Sequence, residues 1–244
     1  MNLAVLTACC YSTLDPIWML TESVKRFGIK LVTFGLGTND SDWISIKIHR
    51  MMVAARELKE RGFTHMLYTD GRDSFFVGPL EECELRYATI GSPPMLMSAE
   101  VNPYPFPDLG PKFPDPGTPW RYPCAGQFLC EIDWLLDKYA MLIEECSELE
   151  GNDQGWIMWA YAKGLLGEGF ELDHTCLLFQ SMEGANDPGE LGRLSVWSLS
   201  QNRLRNNLTT AFPLVLHFNG GYTDPVTGKA DRMFPWWKAL EMDK

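Results

Sequence analysis

An α/β fold around a central, mostly parallel sheet is what this sequence predicts, and three observations predict it. From Leu3 to Asp70, short apolar runs alternate with stretches of helical periodicity. That strand–helix–strand–helix–strand rhythm is the signature of parallel strands with helices packed on both faces. Several of the apolar runs stop at a glycine or a polar residue, as strands do at the ligand-facing rim of an open α/β sheet. The chain has 244 residues, 45% hydrophobic and 22% charged, which suits a globular protein with a sizeable core. No internal repeat and no clear boundary interrupts it, so residues 1–244 are read as a single domain.

The elements follow in order. Leu3 to Ala8 is a first strand. Pro16 opens a helical pattern over Ile17 to Phe27, apolar at 17, 20, 24 and 27, and Gly28 stops it. Lys30 to Phe34 is a second strand, closed by Gly35-Leu36-Gly37. Ile44 to Arg61 places Ile48, Met51, Met52, Ala55 and Leu58 on one helical face, with Gly62 as C-cap. Phe63 to Thr69 is the third strand and delivers Asp70. A helix over Leu80 to Ala88 and a strand over Met95 to Ala99, ending in Glu100, come next. From Asn102 to Pro123 there are eight prolines and two glycines, which excludes regular structure. A loop of that length is usually functional when ordered, and Tyr104, Phe106, Phe113, Trp120 and Tyr122 favour an ordered rim. Phe128 to Cys130 is a brief apolar run, and Ile132 to Cys146 and Asp153 to Lys163 are helices. Phe170 to Phe179 is extended, Arg203 to Thr210 is a loop or hairpin, and Leu214 to Leu216 is a last core strand ending at His217. Trp236 and Trp237 fall in a tail expected to form a short helix.

Composition excludes several classes of function. A net charge of −11 argues against a basic nucleic-acid-binding face. It also means that an anionic ligand needs a local cation. No run approaches the ~18 apolar residues of a membrane span, and the N-terminal MNLAVLTACC lacks the basic segment of a secretory leader. The seven cysteines have no CxxC spacing, so neither a zinc site nor a disulfide framework is expected. Reduced cysteines in a cytoplasmic protein are the simplest reading.

The stretch from His65 to Phe76, HMLYTDGRDSFF, carries the chemistry. Asp70 and Asp73 stand three apart across a glycine at the end of a strand, a hard anionic corner suited to a divalent cation and, through it, a diphosphate. An aspartate pair on a turn is by itself more often a solvated turn. His217, at the end of the last strand, adds a nitrogen ligand of the kind Mn²⁺ accepts, whereas Asp173-His174 reads as structural. Thr7, Ala8, Gly35, Ser98 and Glu100 end other strands and are expected on the same rim. Neither Gly-x-Gly-x-x-Gly nor a Walker A lysine motif is present.

Seven stretches then resemble, in the same order, the glycosyltransferase domain of the procollagen lysyl hydroxylase and collagen glucosyltransferase family, which has a GT-A type fold. They are Thr33 to Gly37, Tyr68 to Phe76, Leu96 to Glu100, Tyr122 to Phe128, Asn152 to Gln154, Leu172 to His174 with Phe179-Gln180, and Leu216 to Gly220. The resemblance implies a nucleotide-binding half followed by an acceptor-side half, with Mn²⁺ (or Mg²⁺) held by Asp70, Asp73 and His217 against the diphosphate of a UDP-sugar. It puts Trp43 and Lys47 at base and phosphate contacts and Ser98 and Glu100 near the sugar; Thr7, on the strand-end rim, and Gly220, in the last matching stretch, are expected among the donor-binding positions. Asp153 and Gln154 fall on the catalytic, acceptor-facing side. The implied reaction moves a hexose, glucose or galactose, to a hydroxyl of a glycan, protein or small molecule, with retention at the anomeric carbon.

Three departures bear on the sugar and the acceptor. An Asn-Ser-Gly-Gly run of the family is Pro123-Cys124-Ala125-Gly126-Gln127 here, an aromatic residue between the metal aspartates is Arg72, and an acidic run is thinned to Asn152-Asp153. No iron-binding His-x-Asp motif of the hydroxylase occurs, so collagen need not be the acceptor. Two other readings use the same residues: a GT-A module that binds nucleotide or glycan without turnover, and a metal-dependent phosphohydrolase or nucleotidyltransferase. The absence of an Asp-x-Asp-x-Thr nucleophile motif counts against the second.

Overall fold

The computed structural model describes residues 1–37, 43–146, 149, 152–182, 197–200 and 203–219, and for 43–46, 197 and 199 only the backbone. In chain order the elements are β1 (Leu3–Ala8), α1 (Trp18–Arg26), β2 (Leu31–Phe34), α2 (Trp43–Glu60), β3 (His65–Thr69), β4 (Ser74–Phe76), α3 (Cys83–Thr89) and β5 (Met95–Glu100). There follow β6 (Tyr122–Glu131), α4 (Ile132–Cys146), α5 (Asp153–Ala162), β7 (Phe170–Asp173), β8 (Phe179–Ser181), β9 (Trp197–Ser200), β10 (Arg203–Asn206) and β11 (Val215–His217). The expected tail helix around Trp236 and Trp237 lies outside the described residues.

Six strands form the central sheet in the order β2-β1-β3-β6-β5-β7. Only β6 runs against the others, antiparallel to both β3 and β5. Because side chains alternate along a strand, the register sets two apolar layers. Val5 pairs with Leu67, Leu67 with Leu129 and Leu129 with Leu96, and this row packs with Leu20 and Val24 of α1. The neighbouring row, Ala4, Met66, Cys130 and Met95, faces the opposite layer with Met51, Ala55 and Leu58 of α2. The same layer receives Ile132, Leu135, Tyr139, Leu142 and Cys146 of α4, a stripe spaced three or four residues apart. Each fully buried Leu, Ile or Met contributes about 1.5–3 kcal/mol.

The expectation for residues 122–131 is corrected. Irregular structure is expected through Pro123, with only a brief apolar run at Phe128 to Cys130, yet Tyr122–Glu131 is one strand, β6. Its pairing with β5 shifts between Met97 and Ser98: Met97 faces Phe128, but Ser98 faces Cys124. Ala125, Gly126 and Gln127 therefore bulge away from β5 while Gln127 stays paired with Thr69 of β3. A bulge is where a proline and a glycine are tolerated in a strand. The proline-rich segment is also partly regular, with a 3₁₀ turn at Pro107–Lys112.

A small sheet, β4-β11-β8, is set beside the main one. β11 pairs with β4 so that Leu216 faces Phe75 and His217 faces Ser74. The segment expected as loop or hairpin, Arg203 to Thr210, supplies β10, which pairs antiparallel with β9. All seven cysteines are free thiols. Among the described residues, no helix is long and apolar enough to cross a membrane.

Candidate metal centre and cleft

The turn after β3 is built on tight backbone packing. A Cβ at Gly71 would lie 2.6 Å from Ile17 Cγ2 and 2.8 Å from Thr7 Oγ1, so only glycine brings this backbone so close to its neighbours. Thr7 donates its hydroxyl to the Thr69 carbonyl at 2.7 Å, propping the turn from beneath. The Asp70 N–H donates to Gly126 O at 2.8 Å, which ties the turn to the β6 bulge. The β4–β11 register then carries His217 to Asp73, and Phe218 N donates to Asp73 O at 2.9 Å. Residues far apart in sequence meet because two short strands pair in one register.

The three side chains converge. His217 Nε2 lies 3.4 Å from Asp73 Oδ1 and 3.8 Å from Asp70 Oδ2. The three candidate ligand atoms lie within 4.8 Å of one another. Two ligands each about 2.0–2.5 Å from one ion can be no more than about 5 Å apart, so the spacing fits a single divalent cation. Two carboxylates and one imidazole suit a borderline ion such as Mn²⁺. Gly126 is the second observation that supports the fit. A Cβ there would fall 2.1 Å from His217 Cε1 and 2.8 Å from Asp70 Oδ2, so the missing side chain leaves room for these two ligands side by side.

Asp70 is oriented by its other oxygen. Oδ1 accepts from Tyr68 Oη at 2.5 Å and from Lys47 Nζ at 3.2 Å, leaving Oδ2 toward His217. Lys47, only 5% exposed, also pairs with Asp153 Oδ2 at 2.8 Å. Burial opposes the charge of Lys47, but Asp153 and then Asp70 outweigh it and hold the ammonium well above the usual lysine range. Burial likewise opposes a charged His217, yet Asp73 and then Cys124 hold its imidazole well above the usual histidine range. Asp73 shows the reciprocal effect: burial pushes its carboxyl up, and the His217 charge overrides that and brings it down. A proton on His217 thus does for the two carboxylates what a metal ion would do, and the two compete.

The corner is the shared wall of two adjoining cavities. One, about 300 Å³, is lined by Ala8, Cys10, Tyr11, Ile17, Gly71 and Arg72 together with the corner. The other, about 470 Å³, is lined by Glu100, Tyr104, Cys124, Ala125, Gly126, Gln154, His217 and Asn219. Lys47, Asp70, Asp73, Asn152 and Asp153 face both. Each cavity is within the size range of small-molecule sites. α5 brings Asn152 and Asp153 there: the Asn152 side chain caps the helix by accepting from Gly155 N at 2.9 Å, an interaction of about 1 kcal/mol.

The sequence-based candidates divide by position. Lys47, Asp70, Asp73, Glu100, Asp153, Gln154 and His217 line the cleft. Thr7 and Ser98 are fully buried and line neither cavity. The Trp43 side chain and Gly220 lie outside the described residues. Glu100, 2% exposed, accepts from Asn219 Nδ2 at 2.5 Å and from Gln154 Nε2. Gln154 Nε2 also donates to Tyr104 O at 2.7 Å, and its Oε1 accepts from Ala125 N at 3.1 Å. Both amide hydrogens of Gln154 are thereby committed, which suits a positioning role. Sequence reasoning missed Tyr68, Cys124, Gly126 and Asn219 as site residues. The alternation along β3 puts Tyr68 on the same side as Asp70, a signal available in the sequence; for Cys124 and Gly126 the signal was their place in the run 123–127 that departs from the family, which points to the site but not to His217.

The model of the PLOD GT domain family matches residues 1–226. The chain is 26% identical over 234 residues to procollagen-lysine,2-oxoglutarate 5-dioxygenase 1 of Bos taurus, covering 90% of this chain and 30% of that protein. With the Rattus norvegicus counterpart it is 25% identical over 236 residues, with the same coverage. The chain therefore spans just under a third of the length of these relatives. Among solved structures it is similar to a glycosyltransferase involved in glycosylation of the major capsid of PBCV-1, with a TM-score of 0.59, 9% identity, and coverage of 98% of this chain and 100% of that one. It is also similar to the galactosyltransferase LgtC in complex with donor and acceptor sugar analogs, with a TM-score of 0.53, 14% identity, and coverage of 99% and 97%. At these identities the structural likeness establishes the fold, a GT-A glycosyltransferase fold.

Proposed function

The chain belongs to the PLOD GT domain family, a family of glycosyltransferase domains, and on that premise we propose that it moves a hexose from a UDP-sugar to a hydroxyl acceptor with retention, using Mn²⁺ or Mg²⁺. The observation that carries this reading is the convergence of Asp70, Asp73 and His217 at the boundary of two cavities, where both aspartates line each cavity and His217 lines the larger. One cavity takes the nucleotide of the donor, the other takes the acceptor, and the anomeric carbon lies where they meet.

Asp70, Asp73 and His217 would hold the ion. When bound, a divalent cation offsets the negative charge that grows on the departing diphosphate. Tyr68 and Lys47 keep Asp70 turned so that one oxygen stays on the ligand side. Such prior orientation lowers the entropic part of the barrier. Asp153 faces both cavities and is fixed by Lys47. Its carboxylate is the group placed to orient the acceptor hydroxyl and to stabilise positive charge on the sugar ring. Gln154 and Glu100 brace the acceptor wall by holding Ala125, the Tyr104 backbone and Asn219 in one network.

UDP release from UDP-glucose and UDP-galactose, measured with and without Mn²⁺ and with a panel of hydroxyl acceptors, tests the proposal. Metal-dependent release in the wild type that disappears in Asp73→Asn is expected. Stabilisation by a UDP-sugar without turnover on any acceptor would instead favour a binding module, and cleavage of simple phosphate esters a hydrolase.

A further inference from the structure

We propose that Cys124 is a positioning residue for the metal centre: its sulfur fixes the ring orientation and tautomer of His217 that turn the Nε2 lone pair toward Asp70 and Asp73. The inference rests on the metal-site reading above and extends it to a residue outside the ligand set. Cys124 Sγ lies 3.3 Å from His217 Nδ1. Among the described residues it is the one hydrogen-bond partner found for that nitrogen. Both side chains are buried, Cys124 at 1% and His217 at 3% exposure.

The two ring nitrogens of His217 face different partners. Nε2 faces the carboxylates at 3.4 and 3.8 Å, and Nδ1 faces the thiol. A neutral imidazole carries one N–H, and a metal needs the other nitrogen's lone pair. If Cys124 donated S–H to Nδ1, the ring proton would sit on Nε2 and point at the ion. Ligation through Nε2 therefore requires Nδ1–H to donate and the sulfur to accept. The partner of the remote nitrogen in a metal-bound histidine selects the tautomer in this way, and its loss typically costs about 10–100-fold in metal affinity. The same piece of β6 also grips a second ligand: Gly126 O accepts from Asp70 N at 2.8 Å. The bulge and the residue before it thus act as a brace, aligning Asp70 through its backbone and His217 through sulfur.

Calorimetric titration with Mn²⁺ alone of wild type, Cys124→Ala and Cys124→Ser, with thermal unfolding of each, tests the assignment. Weakening of about 10-fold or more in Cys124→Ala, with most of the affinity kept by Cys124→Ser, is expected. A purely structural cysteine would instead change the melting temperature and leave the affinity of the folded variants alike. A second readout needs no variant. In the ¹⁵N spectrum of histidine-labelled wild type loaded with diamagnetic Zn²⁺, Nδ1 of His217 is expected to carry the proton and Nε2 the metal. Wild-type Mn²⁺ affinity in folded Cys124→Ala, or an unprotonated Nδ1 in the Zn²⁺ complex, overturns the proposal while leaving the metal site intact. If Cys124→Ala does not fold, Cys124→Val, which fills the same space but removes the sulfur acceptor, takes its place in the Mn²⁺ titration, with the same weakening expected and wild-type affinity overturning the proposal. Absence of Mn²⁺ binding by the wild type overturns the metal reading itself, and this inference with it.

Discussion

Asp173 closes β7 and Asp70 with Asp73 follows β3, at the same edge of the central sheet, yet the two turns use their carboxylates differently. Asp173, 1% exposed, spends both oxygens on its own loop. Oδ1 accepts from Leu177 N at 2.9 Å and Thr175 Oγ1 at 3.3 Å, and Oδ2 accepts from Leu178 N at 2.7 Å and Phe179 N at 2.9 Å. The loop includes Cys176 at a φ of 57°, a left-handed conformation that needs such support. Burial pushes the Asp173 carboxyl up, and the backbone N–H groups only partly offset it. At Asp73 burial pushes the same way, but the charge of His217 wins and the carboxyl is held low. A carboxylate satisfied by backbone donors staples a loop. One whose partners are charged side chains on other elements, facing a cavity, is a candidate cation ligand.

The largest expected effect separates the two turns by activity. Asp70→Asn should cut metal-dependent UDP release by at least about 10²-fold with little loss of stability, as read by initial rates and thermal unfolding. Asp173→Ala should do the reverse. Leaving three backbone N–H groups and a hydroxyl without their acceptor costs about 3 kcal/mol, roughly 6–12 °C in Tm for a chain of this size. The metal affinity of the remaining folded protein should not change.

A third expectation concerns pH. The pKa of His217 is raised, so the protonated ring that excludes a metal persists to higher pH than in an ordinary histidine. Mn²⁺ affinity should therefore climb with pH, by up to about tenfold per unit while His217 remains protonated, and level off above its pKa. Calorimetric titrations across a pH series would show this, and a pH-independent affinity would remove His217 from the ligand set. The smallest expected effect is that of Tyr68→Phe. It removes one hydrogen bond to Asp70, about 1 kcal/mol, and should weaken Mn²⁺ binding several-fold without touching the Asp173 loop.

The strand ends were legible in the sequence because they obey local rules. Apolar runs stop at Thr69-Asp70-Gly71 and at His217, and helix α2 shows its periodicity and its terminal Gly62. Strand β6 was not legible, because Pro123 and Gly126 contradict a strand locally. They are accommodated by a register shift against β5 that exists only once three strands are assembled. The place of Gly126 could not be foreseen for the same reason: its lack of a side chain matters only beside His217, which arrives through β11. Asp70 and Asp73 could be read as a pair, whereas the division of labour between the oxygens of Asp70 depends on Tyr68 and Lys47 in three dimensions.

The central claim is that the corner after β3, and not the turn after β7, holds the cation. Calorimetric titration of Mn²⁺ into wild type, Asp73→Asn and Asp173→Ala, each below its melting temperature, tests it most directly. Saturable binding of one ion by wild type and Asp173→Ala, with none detectable in Asp73→Asn, is the predicted result. Binding of wild-type affinity by Asp73→Asn would contradict it.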